Sequence, residues 1–398
     1  MRNSSLNLYL EINTSHLIFF IGKIEEEKNF EVIYKLKLPI CGITNNRISD
    51  LEKFFNTLKE NIYLIEQKFN HTFKEIILIL DNFNIKFINL TGFKKLNGSQ
   101  ILRENITYIL NNLKSCVDEI EKRKKVLHIF NSKFYLDNKK IENLPVGLFG
   151  DFYSHELSFI LINKNDYKNL KNIFDKCNLM IKKILLKGFL EGSIICNKNN
   201  NQDIFFLIKI EEKNSKIFYF ENNSLKMEES FTFGTDILIK DISKITSLKI
   251  ETIKNILNKI EPLDEIKEDD YLEKEFFDHE SYRKIKKKLI YDITLSRLEE
   301  LSEIIIFKNI NFQYYKKFCK NIFLKLNSKF TCEFLKESVQ KTFCQSGKFT
   351  AIFVDDCSED SIIRAANEIV HFGWKSEAIP ISQSKKSLIT RFFEKFFN

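Results

Sequence analysis

VLHIFNSKFYLDNKKIENLPVGLFGDFYSHELSFILINKNDYKNLKNIFDKCNLMIKKILLKGFLEGSI, residues 126–194, decides the fold of this chain. VLHIF reads as a strand, LPVGLFGDF as a turn-rich connection and HELSFILIN as a second strand. Tyr167 to Cys177 has helical spacing, and MIKKILLKGFLEGSII carries an apolar strand into a helix of small residues. Strands alternating with helices imply an α/β domain.

Upstream, short β-branched and aromatic runs at Ser5 to Ile12, His16 to Lys23, Glu31 to Leu38, Glu75 to Leu80 and Ile85 to Leu90 read as strands. Ile48 to Phe69 spaces Leu51, Phe54, Phe55, Leu58, Ile62 and Ile65 as one helix face, and Asp50 is placed to cap it. A second helix is expected over Gln100 to Lys124. Downstream, the polar run NKNNNQD (197–203) suits a crossing between two lobes. After it the chain starts over: Ile204 to Ile210 and Lys216 to Phe220 form a hairpin pattern, followed by a helix over Gly234 to Ile245. Strand, tight turn, strand and later helix repeat the opening and suggest an internal duplication.

Composition bounds the function without choosing it. With 398 residues, 43% of them hydrophobic, the chain can bury more than one core. The 62 basic and 54 acidic residues leave a net charge of +8, too mild to imply nucleic-acid binding. The abundance of Lys, Ile, Asn and Phe fits a coding bias as well as a structural demand. The opening MRNSSLNLYLEINTSHLIFFIG is broken by Glu11, Asn13 and His16, so neither a secretory leader nor a spanning helix is expected there. Cys41, Cys116, Cys177, Cys196, Cys319, Cys332, Cys344 and Cys357 form no CxxC pair and have no His at ligand spacing, so they read as reduced, buried thiols with no metal site.

In order, residues 126–194 present VLH, a strand, LPVGLFG, a strand, a helix ending in Cys177, a strand and a small-residue helix; SIIRAANEIVHFGWKSEA (361–378) adds a late helix closed by Gly373. This succession resembles FtsA, the actin-like family that ties the bacterial division ring to the membrane. The resemblance implies an α/β actin-like ATPase fold: two ribonuclease-H-like lobes around a nucleotide cleft, an inserted FtsA-type subdomain and a C-terminal amphipathic helix. It assigns 1–80 and 156–196 to the first lobe, 81–155 to the inserted, polymer-contacting subdomain, 197–223 and 301–380 to the second lobe, 224–300 to that lobe's smaller subdomain, and 381–398 to a linker and membrane helix. ATP with Mg²⁺ is the family's cofactor.

Each lobe of such a protein offers phosphates a Gly-rich turn, because backbone N–H groups must approach the oxyanions closely. In YLEINTSHL, Glu11 holds the acidic position and Thr14 the hydroxyl position, but Asn13 replaces Gly and His16 stands where Lys is frequent. The second turn, DIGGGT in the family, aligns with Lys209, Ile210, Glu211, Glu212, Lys213 and Asn214, with Lys216 at the later Asp. No glycine remains. Two carboxylates about 4 Å from a triphosphate would each add repulsion of about 1 to 4 kcal/mol. The adenosine turn, TGG after an apolar strand, aligns with Ile304, Ile305, Ile306, Phe307, Lys308 and Asn309. The degenerate cleft would thus be lined by Glu11, Asn13, Thr14, His16, Lys209, Lys213, Asn214, Lys308 and Asn309. No catalytic residue is nominated, and loss of hydrolysis is expected.

Two surfaces remain. Arg283, Lys284, Lys286 and Lys287, within RKIKKK, either receive the acidic C-terminal peptide of FtsZ or form a solvated face that offsets the acidic block 264–280. SKKSLITRFFEKFFN (384–398) aligns Leu388, Ile389, Phe392, Phe393, Phe396 and Phe397 on one stripe beside Lys385, Lys386, Arg391 and Lys395. That pattern suits an anionic membrane surface, with docking on the protein's own core as the alternative. The leading expectation is a non-enzymatic division adaptor at the cytoplasmic face of the inner membrane, self-assembled, partnered by FtsZ and later division proteins. An actin-like ATPase whose nucleotide state controls assembly, and a pilus-type scaffold, are the alternatives.

Overall fold

The structure, a computed structural model, describes residues 5–378 except 25–29, 45, 82, 199–202, 262–266, 268, 328–332, 345–346, 348 and 355–356. The helix expected within 381–398, with Lys385, Lys386, Leu388, Ile389, Arg391, Phe392, Phe393, Lys395, Phe396 and Phe397, lies outside the described residues, as does most of the expected crossing 197–203.

The chain opens with β1 (Ser5–Ile12), β2 (His16–Ile24) and β3 (Phe30–Pro39), then the short β4 (Ile43–Thr44) and β5 (Arg47–Ile48). β1 and β2 are apolar and largely buried, whereas β3 alternates half-buried and exposed residues, as an edge strand with one solvated face should. Helix α1 (Leu51–Phe69) starts where the sequence implies: the Asp50 carboxylate accepts from the Lys53 amide at 2.9 Å, and Phe54, Leu58, Ile62 and Ile65 are buried. β6 (Glu75–Leu80) and β7 (Ile85–Lys95) follow, then α2 (Arg103–Ile120), β8 (Lys124–Leu136), β9 (Lys139–Ile141), β10 (Phe152–Asn163), α3 (Lys164–Lys176), β11 (Met180–Leu186) and α4 (Lys187–Lys198). The second helix is shorter than the expected 100–124, because Lys124 already begins β8.

A further run supplies β12 (Ile204–Glu211), β13 (Ser215–Glu221), β14 (Ser224–Phe231), α5 (Asp236–Thr246), α6 (Ile250–Lys259), α7 (Lys287–Ser302), β15 (Asn321–Asn327), α8 (Glu333–Cys344), β16 (Thr350–Phe353) and α9 (Glu359–Phe372). One compact unit is built chiefly on Leu185–Ile369 and a second chiefly on Lys35–Ile184.

Strand order makes the duplication a structural fact. One five-stranded sheet runs β3-β2-β1-β6-β11 and the other β14-β13-β12-β15-β16, so each places its first strand at the centre, with a hairpin on one side and two later strands on the other. β1 pairs parallel with β6 and β12 pairs parallel with β15, as connections through helices require. A separate antiparallel sheet, β7-β10-β8-β9, packs under α2, whose Leu110 and Val117 meet Ile129, Leu157, Phe159 and Leu161.

Two expected limits cut across paired strands, and one expected strand is helical. The limit at 155/156 falls inside β10, whose residues Phe152 to Ile162 pair with β7 without a break. The limit at 223/224 precedes β14, which still pairs with β13, so 224–231 belongs to the sheet. Ile304 to Phe307 is not a strand: Glu303–Phe307 is a π-helical turn that continues α7. The cysteines are free thiols among the described residues; Cys196, Cys319 and Cys357 are buried as expected, but Cys116 is exposed.

Candidate functional site

The two hairpin turns that the duplication makes equivalent are β1 to β2 and β12 to β13. Their local chemistry decides what they can bind.

In the first turn, Asn13 does the work that glycine amides and a bound anion would otherwise share. Its side-chain Oδ1 accepts from the amides of Ser15 at 2.9 Å and His16 at 2.7 Å, and its backbone N–H donates to His16 O at 3.1 Å. This is an Asx-type turn, in which a short polar side chain satisfies the backbone locally. The N–H groups that would cradle a phosphate are therefore already occupied by a carboxamide oxygen. Asn13 Nδ2 donates to Glu11 Oε1 at 3.3 Å, and Glu11 is fully buried. Thr14 is exposed at the tip. His16 lies 2.6 Å from Ser15 Oγ through Nδ1, and burial together with the Lys37 charge lowers its pKa, disfavouring a cationic ring.

The second turn closes through Glu211 N–H donating to Asn214 O at 2.8 Å. Its carbonyls are committed to the start of α5: Thr235 N–H donates to Glu211 O and Asp236 N–H to Glu212 O, each at 2.9 Å. Gly234 permits that approach, since a Cβ there would lie 2.1 Å from Glu211 O. Glu212 and Lys213 are exposed, and Asn214 is half-buried. The turn thus serves as a cap for the protein's own helix.

Behind it lies a charge cluster that sequence reasoning missed in part. Lys209 pairs in register with Lys216 on β13 and with Lys325 on β15, so three lysines cross the sheet side by side. Adjacent like charges are unfavourable in a sheet. Glu191 on α4 resolves much of this: its Oε2 lies 3.0 Å from Lys209 Nζ and its Oε1 2.7 Å from Lys325 Nζ. α4 approaches closely because Gly192 leaves room for the Phe220 ring. Lys209 and Glu191 are 2% and 0% exposed, so the pair is shielded from water. Burial raises the Glu191 pKa, but Lys209, Lys325 and Lys187 outweigh it and hold the carboxyl at about 2. Lys216 lies 3.7 Å from Glu228, and Lys325 Nζ also donates to Cys357 O at 3.3 Å.

These groups do not fit a Mg²⁺–triphosphate. A lysine occupies the position that should carry a carboxylate, the one buried carboxylate beside it is shared by two ammonium groups, and the first turn is filled by its own side chain. Among the described residues no group of three His, Cys, Asp or Glu is placed to hold a metal ion. Lys308 and Asn309 are not part of either turn. Lys308 pairs with Glu303 at 2.6 Å on the surface, and Asn309 donates to Glu229 at 3.0 Å and Ile305 O at 3.2 Å. The duplication makes β15, not 304–307, the equivalent of β6.

The basic cluster has internal partners. Arg283 pairs with Glu280 at 3.1 Å, Lys284 lies 4.4 Å from the Tyr271 ring centroid, and Lys286 pairs with Asp269 at 3.0 Å. Lys287 is buried and reaches Glu261 at 2.8 Å and Glu273 at 2.5 Å. Burial lowers its pKa, yet those two carboxylates raise it further. The offsetting of the acidic block is therefore realised; Arg283 and Lys286 remain about half exposed, at 45% and 48%.

Comparisons with known proteins agree with this architecture. The chain is 21% identical over 245 residues to the cell division protein FtsA of Buchnera aphidicola subsp. Schizaphis graminum, covering 61% of this chain and 57% of that protein. It is 19% identical over 255 residues to FtsA of Buchnera aphidicola subsp. Acyrthosiphon pisum, covering 64% and 60%. The match thus spans less than two thirds of the length of these curated relatives. A solved chain of the PilM-PilN type IV pilus biogenesis complex superposes with a TM-score of 0.54 at 9% identity, covering 92% of this chain and 98% of that one. No family model matches. The fold is that of the actin-like ATPases, and in sequence the chain is FtsA-like over the matched part.

Proposed function

We propose that this divergent FtsA-like protein is a non-enzymatic adaptor that links FtsZ filaments to the cytoplasmic face of the bacterial inner membrane at the division septum. Similarity to FtsA supports the division role. One observation supports the non-enzymatic part: each hairpin turn is satisfied within the chain, the first by the Asn13 side chain on the His16 amide, and beside the second Lys209 is paired with Glu191. Assembly is then independent of ATP and Mg²⁺.

Membrane attachment is assigned to 384–398. No described helix is long and apolar enough to cross a membrane, which is compatible with peripheral attachment. Fully burying a Phe or Leu is worth about 1.5 to 3 kcal/mol, but insertion at an interface is partial. Ordering each residue costs about 1 to 2 kcal/mol. One tail is therefore a weak anchor, and a polymer of this protein makes it firm by raising effective concentration. Later division proteins are assigned to the subdomain 81–155. Its exposed Phe149, and the stacked Phe93 and Phe152 rings 5.5 Å apart, offer apolar contact area.

Capture of fluorescent FtsZ on anionic vesicles tests the reading. The full chain should recruit FtsZ without added nucleotide, and deletion of 388–398 should abolish recruitment. Recruitment that requires ATP would return the protein to the nucleotide-switched class.

A further inference from the structure

Residues 308–320, KNINFQYYKKFCK, join the π-helical turn after α7 to β15 and are apolar on two faces. Inward, Phe312 is fully buried with its ring 5.6 Å from that of Phe206, Tyr315 lies 4.3 Å from the Tyr219 ring, and Cys319 is buried. Two short 3-10 turns, Ile310–Phe312 and Tyr315–Lys317, carry this inner face. Lys316 Nζ ties the segment back, donating to Ile306 O at 2.9 Å and Phe307 O at 2.7 Å.

Outward, Ile310, Tyr314 and Phe318 recur at every fourth residue and are 76%, 57% and 52% exposed. The Tyr314 and Phe318 rings lie 5.2 Å apart. Single exposed apolar residues are ordinary, but three large ones on a seated segment whose inner face already supplies the packing form a surface.

The rim of that surface has one sign. From Ile304 to Lys320 the chain has four lysines and no Asp or Glu. The acids that reach the segment are engaged: Glu303 pairs with Lys308 at 2.6 Å, and Glu229 accepts from Asn309 at 3.0 Å and Asn311 at 3.3 Å. Lys317 and Lys320 flank Phe318 and are exposed.

An anionic lipid surface matches this chemistry better than a protein does. Tyr and Phe with flanking Lys suit the boundary between headgroups and acyl chains, where the ring is buried and the ammonium group stays with the phosphates. Lysine is depleted at protein–protein interfaces, and three half-exposed side chains offer a few hundred Å² where a stable protein contact takes about 800 Å² per partner.

We propose that the outer face of 310–320 is a second lipid contact, in which Ile310, Tyr314 and Phe318 enter the headgroup boundary and Lys317 and Lys320 meet lipid phosphates. The proposal rests on the reading of this protein as membrane-attached and puts part of the attachment on the folded body. Such a contact fixes which side of the unit built on Leu185–Ile369 faces the lipid.

Full-length Tyr314→Trp tests it on phosphatidylglycerol–phosphatidylethanolamine vesicles with and without brominated acyl chains, the native chain with its single Trp374 serving as the reference. Tryptophan at 314 should shift to shorter wavelength on the vesicles and be quenched by the brominated lipid beyond the native signal. Replacing both Ile310 and Phe318 by Ser in the full chain should weaken vesicle partitioning by about tenfold while the urea midpoint stays at the native value, since both side chains are largely exposed. Co-sedimentation with vesicles but no added quenching at 314 would overturn the body contact and leave the 384–398 anchor standing; an acidic protein partner for this face would give that result too. Failure of the full chain to co-sediment at all would overturn the membrane reading and this contact with it.

Discussion

Lys209 Nζ lies 3.0 Å from Glu191 Oε2, both side chains buried, at the position where the FtsA resemblance expects a carboxylate beside a metal-bound phosphate. The acid stands on the neighbouring helix and is shared with Lys325, so both lysines are neutralised from within the chain.

Removing Glu191 should therefore be costly. Glu191→Ala leaves Lys209 and Lys325 buried without their shared carboxylate, and breaking a buried ion pair typically costs about 3 to 5 kcal/mol. Urea unfolding of the full chain reads this out. Replacing all three residues by methionine should recover most of the loss, since well-packed apolar side chains can substitute for a buried ion network. A Glu191→Ala midpoint equal to that of the native protein would contradict the pairing.

Acid should act in two windows. His155 is fully buried, and burial lowers its pKa from 6.5 to about 4. Its folded-state pKa is depressed, so its contribution is complete above pH 6.5 and is lost as the pH falls toward 4. Glu191 and Glu377 are also depressed, from 4.5 to about 2; burial opposes ionisation in both, but lysines around Glu191, and His128 and Lys183 beside Glu377, prevail. Their contribution is present above pH 4.5 and lost toward 2. His155→Phe should shrink the upper window, to which His16 and His371 also contribute, and leave the lower one, measured as unfolding midpoint against pH. An unchanged upper window would assign it to another group.

The first turn makes a smaller prediction. Asn13→Ala deletes the acceptor for the Ser15 and His16 amides and should cost about 1 to 2 kcal/mol, the net worth of two exposed-to-half-buried hydrogen bonds. It should not create ATP affinity, because the second turn and Lys209 are unaltered. ATP binding by Asn13→Ala alone would show that a single side chain closes the site.

For the basic cluster, Arg283 and Lys286 are exposed enough to exchange their internal carboxylates for those of an acidic peptide, whereas Lys287 is not. Charge reversal at Arg283 and Lys286 should weaken capture of an FtsZ C-terminal peptide by about tenfold, about 1.4 kcal/mol. Lys287→Met should act on stability instead. Equal peptide affinity after charge reversal would leave the cluster as a solvated face.

Much of the fold was legible because its signals are local. Asp50 and the spacing of Phe54, Leu58, Ile62 and Ile65 specify α1, and the apolar runs of β1, β2, β12 and β13 specify the repeated hairpins. β14 was missed because SLKMEESF carries three charges, one of which, Lys226, is buried beside Glu221 at 3.7 Å, a pairing made only once the β13–β14 hairpin has formed. EIIIF at 303–307 has strand composition, yet burying Ile305 and Ile306 at the end of α7 overrides that preference. Glu191 looked like one acid in a small-residue helix, since Lys209 and Lys325 reach it only through the sheet register. Asn13 was visible as a departure from glycine, but its role as an internal acceptor required the turn geometry.

Calorimetric titration of Mg–ATP into the intact protein, with phosphate release followed in parallel, tests the central claim most directly. No binding in the micromolar range and no turnover are predicted. Micromolar affinity accompanied by Mg²⁺-dependent hydrolysis would contradict it.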